Sequence, residues 1–237
     1  MTNGSIKREI QPLRLGAGVR TGSIVFGVEH KPTFYEMAAI NTLSKIGEST
    51  PATKRVAPAQ IAHFVIYTSR YAEMLVWYKK TLNAAATYED DKLAFLSYDE
   101  EHHRVALVAV PNLERQREGT AAIHHIAFTY LTLRDLLQTW QELTEEGINP
   151  YWTVNHGPTT SMYYADPDGN RIEFQVDNFA TSDEAKAYCA LPEFAENSVG
   201  VEFDPIELLR RLDAGESEAV LKRRPNIGPR TIESSRA

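Results

Sequence analysis

The sequence predicts an α+β fold in which two βαβββ repeats curl into an incomplete barrel, flanked by an N-terminal and a C-terminal extension. Two observations carry this expectation. The order strand, amphipathic helix, three strands runs twice between residues 60 and 178, and each copy opens with a histidine followed by alternating apolar residues, AHFVI and then HHIAF. A single repeat of this kind leaves one apolar sheet face uncovered, so two together enclose a cleft.

The first repeat spans residues 60–110. QIAHFVIYT reads as a strand, and Tyr71, Met74, Leu75, Tyr78 and Leu82 then recur at helical spacing. ATYEDD, KLAFLSYD and HHRVALVAV supply three short strands before the charged loop PNLERQREGT breaks the apolar pattern. The second repeat spans residues 122–178. IHHIAFTY is its opening strand, and Leu133, Leu136, Leu137, Trp140 and Leu143 form the apolar face of its helix, with Thr132 suited to the N-cap and Gly147 to the C-terminus. YWTVNH, TSMYYADPD and RIEFQVD complete it, and Asp166, Pro167, Asp168 and Gly169 make a tight turn between the last two.

Together the repeats define one expected catalytic domain over residues 57–178. The extension 1–56 contains FYEMAAINTLSKIG, patterned as one amphipathic helix, and carries no residue set that assigns it a chemical role. The extension 179–237 is polar and helix-prone in SDEAKAYCALPEF and PIELLRRLDAGE, then ends in the basic segment KRRPNIGPR. Such a tail is suited to cover a cleft or a subunit interface.

A chain of 237 residues with 43% hydrophobic content buries one substantial core. Its net charge of -7 excludes the basic face that neutralises nucleic-acid phosphates, which leaves a small molecule as the expected partner. The single cysteine, Cys189, cannot form an internal disulfide, and MTNGSIKREIQPLRLG lacks the apolar stretch of a secretory signal. No apolar run approaches the ~20 residues that span a bilayer. A cytoplasmic protein is expected.

Six of the seven histidines lie between residues 63 and 156, inside the repeats. Side chains alternate between the faces of a strand, so Phe64 and Ile66 pack inward while His63 faces the cleft. In the second copy Ile126 and Phe128 take the core face and His125 the position equivalent to His63, which leaves His124 on the other side. In RIEFQV, Ile172, Phe174 and Val176 alternate with Glu173 and Gln175, so a carboxylate joins the two histidines. Two imidazoles and one carboxylate are a ligand set for non-haem iron(II) with coordination positions left open, and manganese(II) accepts similar donors. One carboxylate leaves a single net positive charge, which suits a monoanionic catechol.

On AHFVIYT, HHRVAL, HHIAFT and YYADPDGNRIEF the chain resembles the type I extradiol ring-cleaving dioxygenases, similar to catechol 2,3-dioxygenases and 2,3-dihydroxybiphenyl 1,2-dioxygenases of the vicinal oxygen chelate superfamily. The resemblance covers residues 60–178. It implies His63, His125 and Glu173 as ligands of iron(II), dioxygen as co-substrate, and a homo-oligomer. It further implies a histidine near dioxygen at His103, where strand parity with Ala106 instead favours His102 and a bulge would shift the register. A substrate-contacting Tyr two residues before DPDGN falls on Tyr163, and a partner His on His156. The implied roles are charge stabilisation and proton shuttling by His103, and hydrogen bonding and orientation of the substrate by Tyr163 and His156.

Two other activities share such a scaffold. One is a glyoxalase-like isomerase or fosfomycin-type transferase; a glyoxalase would commonly use a symmetry-related carboxylate, yet aligning RVALV with RIEFQ puts Ala106 at the position of Glu173. A metal-free protein of the bleomycin-sequestering kind has no need for His63, His125 and Glu173 together.

Overall fold

In the computed structural model, which describes residues 56–114 and 119–231, the first repeat begins with β1 (Phe64–Thr68), where β-branched and aromatic residues favour extended backbone. The helix expected at FYEMAAINTLSKIG lies outside the described residues. After β1, α1 (Tyr71–Thr81) buries Met74, Leu75, Trp77 and Tyr78 against the sheet. β2 (Ala85–Glu89), β3 (Leu93–Ser97) and β4 (Val105–Ala109) follow. β4 pairs in parallel with β1 and antiparallel with β3, giving the order β1-β4-β3-β2. A register shift between Ala86 and Tyr88 marks a bulge in the β2–β3 pairing.

The second repeat has the same plan. It runs β5 (Ile126–Tyr130), α2 (Leu133–Glu145), β6 (Trp152–Asn155), β7 (Thr159–Ala165) and β8 (Arg171–Asp177). The Thr132 side chain accepts a 3.0 Å hydrogen bond from the Asp135 amide, an N-cap worth about 0.5–2 kcal/mol. Gly147 follows the helix at φ +79°, a conformation in which its missing Cβ avoids strain. The turn between β7 and β8 closes through hydrogen bonds from the Asp168 and Asn170 amides to the Asp166 carboxylate. The buried Asp166 also accepts from the Tyr78 hydroxyl at 3.1 Å, which ties the second repeat to the first.

The two helices and one face of each sheet share a core. Leu96, Val105 and Leu107 from the first repeat and Met162, Tyr164, Ile172, Phe174 and Val176 from the second are buried in it, with Phe64 and Phe128 meeting at a ring distance of 6.1 Å. Each fully buried leucine or isoleucine there contributes about 1.5–3 kcal/mol of transfer free energy. The two sheets form an open α+β arrangement, as the repeat pattern predicts.

The tail departs from expectation in two ways. SDEAKAYCALPEF forms two helices, α3 (Ser182–Cys189) and α4 (Pro192–Glu196), rather than one. Pro192 lacks the amide hydrogen and disfavours helical backbone at Leu191, so the chain breaks there and restarts with Pro192 in the first turn. The second departure is β9 (Val201–Glu202), which pairs with β6 and makes a fifth strand in the order β5-β8-β7-β6-β9. α5 (Pro205–Asp213), capped by Asp204, and α6 (Glu218–Leu221) add Leu208, Leu212 and Leu221 to the shared core. No described helix is long and apolar enough to cross a membrane.

Candidate active site

The faces of the two sheets opposite the core carry the residues singled out by sequence. Strand pairing makes the repeats comparable position by position. Phe64 pairs with Val105 and Ile126 with Ile172, so His63 and His125, one residue earlier, are equivalents. Ala106, paired with Val65, matches Glu173, paired with Ala127. Phe95, opposite Ala106, matches Tyr163, opposite Glu173.

In the second repeat, Glu173 is buried, and its Oε2 stands 3.0 Å from His125 Nε2. Tyr163 is also buried, hydrogen-bonds Glu173, and meets the His125 ring edge-on at 5.2 Å. Burial, then the Glu173 charge, push the Tyr163 phenol above its ordinary range, so it stays a hydroxyl at neutral pH. His156 Nε2 lies 2.9 Å from the Tyr163 hydroxyl. Its Nδ1 contacts the Val199 carbonyl, which can only accept, so Nδ1 carries the proton and Nε2 of the neutral ring is an unprotonated acceptor, which competes with the Glu173 carboxylate for the single Tyr163 proton. Burial lowers the pKa of His156 and favours that neutral ring.

In the first repeat the contacts are different. The His63 ring sits 4.3 Å from that of His103, and His103 stacks on Phe95 at 4.5 Å. Partial burial and the adjoining His63 and His102 imidazoles lower the pKa of His103. His102 points outward beside Glu101, with 71% of its side chain exposed. His124 is exposed as well, against Arg171 and with its Nδ1 2.8 Å from that of His125.

The structure therefore brings the sequence-predicted residues together in two groups: His125, Glu173, Tyr163 and His156 in one, His63 and His103 in the other. Among the described residues no three His, Cys, Asp or Glu side chains are gathered closely enough to hold a metal ion, so His63 does not join the His125–Glu173 pair in this arrangement. The chemistry of the pair nevertheless suits a cation. Glu173 is a buried carboxylate whose ion-pair partner among the described residues is an imidazole, with no Lys or Arg against it. A buried charge so lightly compensated is costly unless a cation is supplied.

Sequence reasoning missed the residues that wall this group. Trp152 stacks on Tyr163 at 5.0 Å and donates its Nε1–H to Glu202 at 3.1 Å. Trp152, Val154, Tyr163 and Val199 form a second apolar cluster, separate from the main core. The available signal was the period-2 pattern of YWTVNH, which places Trp152 and Val154 on one face. Nothing local marked Val199 or Glu202.

Two βαβββ repeats with a histidine at the head of each first strand and a carboxylate on the last strand of the second define the class. The chain belongs to the Glyoxalase/Bleomycin resistance protein/Dioxygenase superfamily, whose family model matches residues 60–174. Within it, the chain is 49% identical over 160 residues to biphenyl-2,3-diol 1,2-dioxygenase 2 of Rhodococcus globerulus, covering 67% of this chain and 84% of that protein. It is 42% identical over 167 residues to biphenyl-2,3-diol 1,2-dioxygenase 3 of the same organism, covering 70% of this chain and 88% of that one. A solved lactoylglutathione lyase from Agrobacterium tumefaciens has a TM-score of 0.40 and 16% identity, covering 50% of this chain and 94% of the other.

Proposed function

We propose that this protein is an extradiol dioxygenase that opens a catechol-type ring, with iron(II) held by His63, His125 and Glu173. The observation that carries the reading is the buried Glu173 carboxylate paired with His125 and bordered by Tyr163 and His156, in a chain 49% identical to a biphenyl-2,3-diol 1,2-dioxygenase. That identity favours a biphenyl-type diol among catechols. Manganese(II) takes the same donors and is the alternative metal.

Bound iron(II) would supply adjacent positions for the diol and dioxygen and a path for electron density between them. The protein's part is binding and proton transfer. The Tyr163 hydroxyl, kept protonated by burial, donates a hydrogen bond to a substrate oxygen. His156, with its proton fixed on Nδ1, accepts one from the substrate hydroxyl at Nε2. His103, stacked on Phe95 and held mostly neutral, is available to take up and return a proton on the dioxygen side. Trp152 and Val154 exclude water from the wall behind Tyr163.

The test is anaerobic purification, metal analysis, and addition of 2,3-dihydroxybiphenyl or catechol in air while following the yellow semialdehyde product. The expected result is colour that depends on iron(II) and on Glu173. Iron bound in full with no colour from either diol would overturn ring cleavage of these substrates, and failure to take up any metal would overturn the ligand assignment.

A further inference from the structure

The loop that presents His156 is held from within its own sheet by Asn155, Thr159 and Asn178, and from outside it by the C-terminal tail. The Arg224 guanidinium is buried, and its Nη1 donates to the His156 carbonyl at 3.2 Å and also to the Asn197 carbonyl, while Nη2 donates to the Glu193 carbonyl at 3.2 Å. Asn197 fixes the next residues through its side chain, whose Oδ1 accepts from the Gly200 amide at 2.7 Å. Val199, inside that short loop, offers the carbonyl that holds the proton on His156 Nδ1. Gly200 permits the approach: at its φ of +111°, an added Cβ would lie 2.4 Å from the Asn155 carbonyl oxygen and 2.8 Å from the His156 Cα.

From the other side, the Tyr188 ring presses on Gly157 and lies under Arg224, 5.5 Å from the guanidinium carbon. A single cation thus joins the main chain of His156 to the main chain that orients the His156 ring. Its Nε is buried with no hydrogen-bond partner, so the guanidinium is placed for its two Nη groups at the expense of the third donor. Simple filling of space between loops would not require a charged fork that bridges three carbonyls.

We propose that Arg224 is a positioning residue for the reaction. By clamping His156 against the Asn197–Gly200 loop, it keeps His156 Nδ1 on the Val199 carbonyl and so keeps Nε2 free as the acceptor beside Tyr163. The consequence for catalysis rests on the function proposed above, whereas the consequence for the tautomer does not.

The experiment uses the full chain with Arg224→Ala and Arg224→Lys. The ring nitrogens of His156 are read by 15N NMR with zinc(II) as a diamagnetic stand-in, assigned through His156→Ala. kcat and KM for 2,3-dihydroxybiphenyl are measured on the iron(II) form. The wild-type protein is expected to show one tautomer, with Nδ1 protonated. Arg224→Ala should show averaged ring shifts and a kcat lowered by about ten- to a hundred-fold with little change in KM, because misplacement of a proton acceptor costs turnover rather than binding. Arg224→Lys, which keeps the charge but not the fork, should fall between the two, and it decides the matter if the alanine variant does not fold. A single unchanged tautomer with wild-type kcat in the folded variant would overturn the proposal. If His156→Ala itself leaves kcat unchanged, the role given to His156 in turnover fails, and the tautomer shifts alone judge the Arg224 clamp.

Discussion

The two repeats share strand order, register and helix placement, yet they contribute different chemistry and meet different surroundings. At matching positions the first has Ala106 and Phe95 where the second has Glu173 and Tyr163. The first instead adds His103 in front of β4, where the second has Asn170 in front of β8. Burial along the opening strands and at the Glu173 position does not differ, since Val65 and Tyr67 on β1 and their counterparts Ala127 and Thr129 on β5 are all exposed and Ala106 is as buried as Glu173. What differs is the wall: in the second repeat Trp152 and Val154, with Val199 of the tail, pack against Tyr163. Duplication fixes where a side chain can stand, and substitution at those places separates the groups: a carboxylate and a phenol beside the Trp152 wall in the second repeat, two adjoining imidazoles in the first. On the function proposed above, Glu173 would hold the metal with His63 and His125, and His103 would carry the proton.

Exchanging the carboxylate between repeats is the strongest way to break this comparison. Glu173→Ala should lower metal affinity and turnover by at least about a hundred-fold, read by metal titration and product colour. Ala106→Glu in the Glu173→Ala background should restore neither, since the first repeat has Phe95 where the second has Tyr163 and so lacks the adjoining phenol. Recovery of metal binding there would show that the two sheets are interchangeable. A smaller effect sharpens the contrast between the two adjacent histidines. His103→Ala should cut turnover by about 10²–10⁴-fold while leaving bound metal unchanged, and His102→Ala should leave both near wild type. Equal losses in the two variants would remove the distinction drawn from the stacking on Phe95.

The smallest expected effect concerns the tail. Hydrogen bonding and charge from Arg230, aided by Trp152, lower the Glu202 pKa to about 2 from its ordinary 4.5. A carboxylate depressed in the folded state stabilises the fold above its unfolded pKa and loses that contribution as pH falls through the folded one. Docking of β9 should therefore weaken between about pH 4.5 and 2, modestly because the pair is partly exposed. Trp152 fluorescence reports it, and Glu202→Gln should flatten the transition. A transition that persists in that variant would assign it to another group.

Much of the fold was legible because its signals are local. Helix periodicity, the Thr132 cap, Gly147 and the turn at Asp166 each act within a few residues, and the doubled pattern set the topology. Parity also placed Glu173 opposite Phe174 and matched it with Ala106, as the strand registers do. The choice between His102 and His103 was not legible, since both precede the strand and only contacts with His63 and Phe95 separate them. β9, Val199 and Arg224 were hidden for the same reason. Their partners lie 27 to 68 residues away, and a basic segment such as KRRPNIGPR reads as solvated charge until its arginines are seen gripping carbonyls.

The fifth strand also bears on solubility. By pairing with β6, the tail occupies a row of main-chain donors and acceptors to which another polypeptide would otherwise add. The corresponding outer strand of the first sheet, β2, has no such guard among the described residues, where it is exposed along its whole length. It is shielded differently, by the bulge at Ala86–Tyr88, which interrupts a flat template, and by the acidic run Glu89, Asp90 and Asp91 at its end, which repels an approaching copy. One sheet is kept from aggregating by a strap, the other by irregularity and charge.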